Sequence, residues 1–319
     1  MYILTGGAGF IGSCFLKLLN EKGIEDIIIV DNLGNSEKWK NLLGKSFINY
    51  VHKNNFFEKL ATYRADSIKA IFHFGACSNT TEKNIDYLLQ NNYHFSWELA
   101  KYARNNNIRF VYASSAATYG LGENGYNEDN IFKLKPLNPY GYSKLLFDQR
   151  VVKNGFDEYF LGIKLFNVFG PNEYHKGDMA SMVYKAYDQV SKTGKIRLFK
   201  SLNPNYRDGE SVRDFIYVKD AIKAVWELYE NGITGIYNLG TGIARSWNDL
   251  AASVFNSMGL PINIEYFDMP ENLQQQYQYF TKADMTKFFN VLPNFKFTSL
   301  EESIDDYINN YLNQSNKYY

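Results

Sequence analysis

The run Tyr2-Ile3-Leu4-Thr5-Gly6-Gly7-Ala8-Gly9-Phe10-Ile11-Gly12 constrains the fold more than any other part of the chain. A short apolar strand enters a glycine-rich turn, and a helical pattern opens at Phe10 and Ile11. Gly7, Gly9 and Gly12 satisfy the dinucleotide-binding spacing, and Gly6, Gly9 and Gly12 a looser form of it. The early glycines let the backbone turn sharply and approach a pyrophosphate. Gly12 lets the helix pack closely on the strand, and the free N–H groups at the helix start face the phosphates. An ordinary strand–turn–helix is the bland alternative. The dinucleotide reading is favoured by Asp31, an acid at the end of the next strand and at the required distance.

Ile27-Ile28-Ile29-Val30 is a continuous apolar run, the pattern of a strand buried on both faces of a parallel sheet. Further strands are expected near Phe47 to Val51, at Ala70 to Phe74, at Phe110 to Ser114 and at Tyr159 to Phe166, with a helical segment from Ile85 to Asn105. This alternation predicts an α/β fold, a Rossmann-type doubly wound parallel sheet. After Asn167 the connections lengthen and Gly, Asn and Pro become frequent. Residues 1–166 are therefore expected to form the cofactor domain and 167–319 mostly a smaller C-terminal lobe that returns to the sheet once, near Arg213 to Leu239.

Lysine plus arginine number 34 and aspartate plus glutamate 34, so the balanced charge argues against a nucleic-acid or anionic-membrane surface. Aromatics make up 17% of residues and read mostly as core packing. The two cysteines, Cys14 and Cys77, make no disulfide framework. The histidines at 52, 73, 94 and 175 have no ligand spacing, so no metal is expected. The first strand starts at Met1, which leaves no room for a signal peptide, and no apolar run is long enough to cross a bilayer. A soluble, cytoplasmic protein is expected.

The position of Asp31-Asn32 is where an acid accepts hydrogen bonds from the adenosine ribose hydroxyls, which favours NAD over NADP. Lys38 and Lys53 nevertheless stand where either ammonium could neutralise a 2′-phosphate, although any one such lysine commonly lies in solvent. On these residues alone the choice of cofactor stays open. After Phe74, the small-residue loop Gly75-Ala76-Cys77-Ser78 ends a sheet strand, where a cofactor would lie. In the helical segment, the amides of Asn91-Asn92 could bridge backbone groups behind the active site, or serve only as polar helix positions.

Ser115 follows the fifth strand, and Pro139-Tyr140-Gly141-Tyr142-Ser143-Lys144 opens a helix on which Tyr140 and Lys144 share a face. A phenol ionises near pH 10 in isolation. A nearby ammonium favours the phenolate and is expected to lower that value. Such a tyrosine can take the proton of a substrate alcohol as hydride leaves its carbon, and Ser115 can hydrogen-bond the same oxygen. Alone, a tyrosine and lysine at this spacing would be an ordinary surface turn. With the glycine loop and Ser115 they read as a catalytic unit.

The chain resembles the extended short-chain dehydrogenases/reductases of the sugar-nucleotide epimerase group. Thr5 to Gly12, Ser114-Ser115-Ala116, Tyr140-Gly141-Tyr142-Ser143-Lys144, Phe166-Asn167-Val168-Phe169-Gly170-Pro171, Arg213-Asp214-Phe215-Ile216-Tyr217-Val218 and Tyr237-Asn238-Leu239-Gly240-Thr241-Gly242 carry the likeness. Within the group, Gly75-Ala76-Cys77-Ser78, His175-Lys176-Gly177 and Tyr277 to Asp284 are most similar to the ADP-glyceromanno-heptose 6-epimerase family.

That resemblance implies NADP, with NAD possible, and places Lys38 and Lys53 near the adenosine phosphate. It implies epimerisation at C6 of an ADP-heptose with no net oxidation: hydride leaves C6, the aldehyde rotates about C5–C6, and hydride returns on the other face. Tyr140 and Lys176 are the two bases, with Ser115 and Lys144 beside the first. A surface lysine is the ordinary fate of a residue like Lys176, whereas burial against a sugar would lower its pKa and suit it to acid–base work. Toward the cofactor the resemblance also sets Gly6, Gly9, Phe10, Ile11, Gly12, Asp31, Asn32, Phe74 to Ser78, Asn91, Lys144, Val168 and Lys176. Toward the substrate it sets Asn167, Asp178, Lys185, Phe199-Lys200-Ser201-Leu202, Arg213 and Tyr277, making the C-terminal lobe substrate-binding. Arg213 suits a diphosphate, unless it pairs with Asp214 or Asp220. Asp178 stands where a serine is common, and Asn203 to Ser211 is longer than usual. A closed homo-oligomer, a pentamer, is implied, as is a product that feeds the inner core of bacterial lipopolysaccharide. A 4,6-dehydratase is disfavoured because Ala116-Ala117 cannot transfer protons. A UDP-hexose 4-epimerase and a non-catalytic NADP-binding regulator remain as alternatives.

Overall fold

The structure, a computed structural model, describes residues 1–274 and 277–319. Seven strands form a parallel sheet: β1 (Tyr2–Thr5), β2 (Ile27–Asp31), β3 (Asn49–His52), β4 (Ala70–His73), β5 (Arg109–Ser115), β6 (Leu161–Leu165) and, much later in the chain, β10 (Gly235–Leu239). Their order is β10-β6-β5-β4-β1-β2-β3, and each adjacent pair is parallel. The chain therefore winds outward from β1 to β3, then returns to place β4 on the other side of β1. Ligands of such sheets bind outside the carboxyl ends at this reversal.

The continuous apolar runs have a direct cause. Successive residues point to opposite faces of a strand. Leu4, Ile29 and Phe72 enter one core, against the helices Phe10–Glu21 and Val218–Glu230. Ile3, Ile28 and Ile71 enter the other, against the helices Phe95–Asn105 and Pro139–Lys153. A sheet covered on both faces requires apolar residues at both parities.

The expected strands differ from the observed ones by at most two residues at either end. The segment from Ile85 to Asn105 is helical throughout, with a π-helical stretch at Gln90–His94. The return to the sheet is narrower than expected. Only β10 joins it. Arg213 lies on β9 (Val212–Tyr217), which pairs with β7 (Asn167–Phe169) and with the antiparallel β11 (Ala244–Ser246) in a separate three-stranded sheet. Asp214 explains why β9 stays there: its buried carboxylate accepts from the backbone N–H groups of Thr241, Gly242 and Ala283 at 2.6, 2.9 and 3.0 Å, gathering two later segments around this strand. A two-stranded parallel ribbon, β8 (Ile196–Phe199) with β12 (Ile264–Phe267), completes the second half.

Candidate active site

The glycine turn closes on itself. The N–H of Gly9 donates to the Gly6 carbonyl at 2.9 Å, and a Cβ on Gly12 would stand 2.1 Å from that same oxygen. Only glycine at 12 lets the helix start this close to the turn. Gly9 caps the helix without a side chain, so its first-turn amides stay open toward the cleft. Gly9 and Gly12 thus shape the turn, while Gly6 lines a small cavity of about 180 Å³.

Asp31, Asn32, Lys38, Lys53 and Asn91 line that cavity with Gly75, Ala76 and Cys77. Asp31 is 8% exposed, and both carboxylate oxygens are engaged. Oδ2 accepts from the Ala8 N–H at 2.9 Å, and Oδ1 accepts from the Asn32 N–H and from Lys38 Nζ, each at 2.6 Å. Lys53 Nζ donates to Asn91 Oδ1 at 2.6 Å. Two ammonium groups therefore border a cavity whose carboxylate is already paired.

At Ala76 the small cavity meets a cleft of about 810 Å³. Phe10, Ile11, Phe74, Ser78, Lys144 and Val168 line its inner part, with Ser115 and Tyr140. The helix Pro139–Lys153 begins at Asn138, whose Oδ1 accepts from the Gly141 N–H at 2.8 Å, and Pro139 sits in its first turn. Gly141 brings this turn against the loop after β5, because a Cβ there would lie 2.6 Å from the Ala117 carbonyl oxygen. Tyr140 is thereby set beside Ser115.

The electrostatics correct one expectation. Burial raises the Tyr140 phenol above its ordinary value, with the Ser115 hydroxyl pulling the other way and Asp148 adding to the rise. Lys144 does not lower it in the protein alone. Its ammonium is turned to the Ala113 carbonyl at 2.8 Å, and burial brings its own pKa down to about 8. Desolvation outweighs the local charge here.

Behind the cleft runs a polar network. Asn92 bridges the loop after β4, accepting from the Cys77 N–H at 2.7 Å and donating to the Cys77 carbonyl at 3.0 Å, and it also donates to Ser143 Oγ at 3.0 Å. Ser96 Oγ donates to the Asn92 carbonyl at 2.8 Å and contacts His73 Nε2 at 2.8 Å, while His73 Nδ1 meets Thr5 Oγ1 at 2.6 Å. Since Ser96 already donates, His73 is assigned its proton on Nε2 and accepts at Nδ1. Burial pushes its pKa down to about 3, and the Lys144 charge adds to the fall. A second buried set, the ion pair of Asp148 and Lys164 at 2.6 Å, ties Ser114 Oγ and Thr118 Oγ1 together below Ser115. The sequence held a signal for it: Asp148 follows Lys144 by one helical turn, and Lys164 interrupts an apolar strand.

Lys176 enters the same cleft from the turn after β7. Its Nζ lies 5.3 Å from the centre of the Phe10 ring. Burial lowers its pKa and Glu173 opposes the change. Glu173 is itself fully buried and accepts from the Ser181 N–H and from Ser181 Oγ at 2.7 Å, bracing this turn.

Of the residues expected at the substrate, Ser115, Asn167, Asp178, Lys185, Phe199 and Tyr277 line the cleft. Lys185 Nζ donates to the Asp178 carbonyl at 2.6 Å. Lys200, Ser201, Leu202 and Arg213 are not among the lining residues. Lys200 pairs with Asp268 at 3.0 Å, the Ser201 N–H donates to Asp208 at 2.7 Å, and Leu202 is 56% exposed. Arg213 pairs with neither Asp214 nor Asp220. Its guanidinium donates to the backbone carbonyls of Val212, at 2.9 Å, and Gln278, and lies 5.5 Å from the ring centres of both Trp247 and Tyr277. Gln278 and Arg197 line the cleft without having been singled out.

This fold, with a glycine cradle leading into a cleft that gathers a serine, a tyrosine and a lysine, defines an α/β protein of the dinucleotide-binding kind. A family model described as the NAD dependent epimerase/dehydratase family matches residues 2–240. The chain is 48% identical over 316 residues, 98% of each chain, to a protein of Nitratidesulfovibrio vulgaris (strain DP4) called ADP-L-glycero-D-manno-heptose-6-epimerase. It is 44% identical over 331 aligned residues, 100% of each chain, to a protein of that name from Fusobacterium nucleatum subsp. nucleatum. The crystal structure of the Helicobacter pylori ADP-L-glycero-D-manno-heptose-6-epimerase is similar at TM-score 0.83 and 28% identity, covering 96% of this chain and 94% of that one. The chain therefore belongs to the NAD dependent epimerase/dehydratase family, and its full-length likeness to epimerases makes it an isomerase.

Proposed function

We propose that the protein is an NADP-dependent 6-epimerase of an ADP-glyceromanno-heptose. The observation that carries this reading is the meeting of Tyr140 and Lys176 in one cleft beside the glycine cradle. The names of the full-length relatives supply the sugar nucleotide. The residues fit a nicotinamide dinucleotide: no side chain larger than hydrogen is accommodated at Gly12, and the first-turn amides are uncapped. Gly6, Phe10, Ile11 and the loop Gly75 to Ser78 would hold it, with Lys38 and Lys53 at the adenosine end. When bound, the nicotinamide supplies a hydride acceptor that gives the hydride back, so the reaction has no net redox change.

The protein's own groups handle protons. Tyr140 takes the hydroxyl proton of the reacting carbon on one side and Lys176 serves the other, so the carbonyl oxygen can be reprotonated after the aldehyde has turned its opposite face toward the returning hydride. Ser115 orients the oxygen, and Lys144 supports Tyr140. Burial readies Lys176 for this by favouring its neutral amine more than water does. NADP is supported over NAD by two ammonium groups at the small cavity and by a carboxylate that Lys38 neutralises. A cytoplasmic homo-oligomer, pentameric as the resemblance implies, completes the reading. Among the described residues, no helix is long and apolar enough to cross a membrane.

The test is to incubate the protein with each C6 epimer of ADP-glyceromanno-heptose and with UDP-hexoses, following products by proton NMR and NADPH by absorbance. Interconversion of the heptose epimers without NADPH accumulation supports the reading. Conversion of a UDP-hexose instead would favour a 4-epimerase, and inertness toward all substrates a binding regulator.

A further inference from the structure

Asn41 is 1% exposed, in the short 3-10 segment Glu37–Leu42 between β2 and β3, and the chemistry above does not use it. Its carboxamide nitrogen lies 3.0 Å from the Ala8 carbonyl oxygen, 3.0 Å from the Asn172 carbonyl oxygen and 3.3 Å from His175 Nδ1. Carbonyl oxygens only accept, so this atom is the amide nitrogen, its two hydrogens shared among three acceptors. Ala8 belongs to the glycine turn. Asn172 belongs to the turn after β7, and His175 immediately precedes Lys176.

Each anchor is fixed from its other side. The Ala8 N–H donates to Asp31 Oδ2 at 2.9 Å. Asn172, buried and with φ at +75°, donates to Ser13 Oγ at 3.0 Å on the helix that leaves the glycine turn. Lys45 Nζ donates to the Asn41 carbonyl at 2.7 Å. One side chain thus fastens the segment carrying Lys176 to the turn that forms the cofactor cradle.

We propose that Asn41 is a positioning residue that holds the Lys176-bearing turn against the glycine turn and thereby sets where the Lys176 amine stands in the cleft. This rests on the reading of Lys176 as the second base. Among the described residues, the Lys176 Nζ makes no hydrogen bond or ion pair, so the site of the amine depends on the backbone that carries it. The Gly177 φ of +53° shows how sharply that backbone bends past Lys176. His175 must be neutral to accept at Nδ1, and burial pushes its pKa down to about 4, with the Lys38 and Lys176 charges adding to the fall.

The test is a kinetic cycle in the full chain with Asn41→Leu, Lys176→Met and both together. kcat, KM for the nucleotide sugar and affinity for NADP are measured for each. Asn41→Leu is expected to lower kcat about 10- to 100-fold, as misplacing a reacting group does, with KM and NADP affinity nearly unchanged. In the Lys176→Met background the same change is expected to cost less than about 3-fold, because residues acting through one another are not additive. A wild-type kcat for Asn41→Leu overturns the proposal, and so does an equal loss in both backgrounds, which would mark Asn41 as a general packing residue. If Asn41→Leu does not fold, His175→Ala, which removes one acceptor at a partly buried position, replaces it with the same expectations and the same contrary results. Full activity of Lys176→Met would show at its own corner of the cycle and would remove the second-base reading together with this one.

Discussion

Lys38 donates to Asp31 Oδ1 at 2.6 Å, and the pair lies at the small cavity with neither side chain well exposed. An acid at the end of the second strand ordinarily offers its oxygens to a ribose. Here one oxygen holds the Ala8 amide and the other holds Lys38 and the Asn32 amide, so the acid fastens the glycine turn and a lysine comes with it. Lys38→Ala should weaken NADP binding by about 10- to 100-fold, the worth of one charge-assisted hydrogen bond, and leave NAD binding unchanged or stronger. Calorimetric titration with both cofactors checks this. Equal losses for the two would separate Lys38 from the 2′-phosphate.

Lys176→Met should lower kcat by about 100- to 10,000-fold, the usual worth of a positioned acid or base. Cofactor binding should survive, since the cradle is built by the glycine turn and the loop after β4. Single-turnover kinetics with cofactor quantified in the purified variant measures both.

The parts of the site nearest in sequence to a strand end were legible, because a parallel sheet puts every carboxyl end at one edge. Gly6, Asp31, Gly75 and Ser115 follow from that rule alone. What could not be read was the competition for each polar group once folded. Asp31 left the choice of cofactor open, because its hydrogen bonds from the Ala8 amide and Lys38 are invisible in a linear reading. Arg213 reads as a phosphate ligand in the sequence, and only the fold shows that its guanidinium also donates to two backbone carbonyls between aromatic rings. Asn41 carries no signal in the sequence because its partners lie in the glycine turn and at residues 172 and 175, which only the fold brings together.

Tyr140 shows why a spacing does not give a pKa. The four-residue step to Lys144 is present, yet burial dominates and raises the phenol. In the protein alone Tyr140 should therefore keep its proton past the ordinary range, and the positive ring of an oxidised nicotinamide should lower that ionisation. Ultraviolet difference titration of the protein against Tyr140→Phe, with and without the cofactor, measures the shift. A downward displacement on adding cofactor is predicted.

His73 carries a stability prediction with a definite sign. Its folded pKa, about 3, lies below the ordinary 6.5, so between those values the unfolded chain binds the proton and the folded one does not. Its contribution is fully present above pH 6.5 and is lost as pH falls toward 3, at up to about 1.4 kcal/mol per pH unit. Urea unfolding across this range should show the wild-type advantage over His73→Leu shrinking as the solution is acidified. A difference independent of pH would contradict a neutral, buried imidazole.

The central claim is that hydride leaves one carbon of the sugar and returns to that same carbon while Tyr140 and Lys176 handle only the hydroxyl proton. Turnover of ADP-glyceromanno-heptose deuterated at C6, followed by NMR in ordinary water, tests it most directly. The epimerised product is expected to keep its deuterium at C6. Loss of the label to solvent would show that a carbon-bound proton is exchanged instead, and would contradict it.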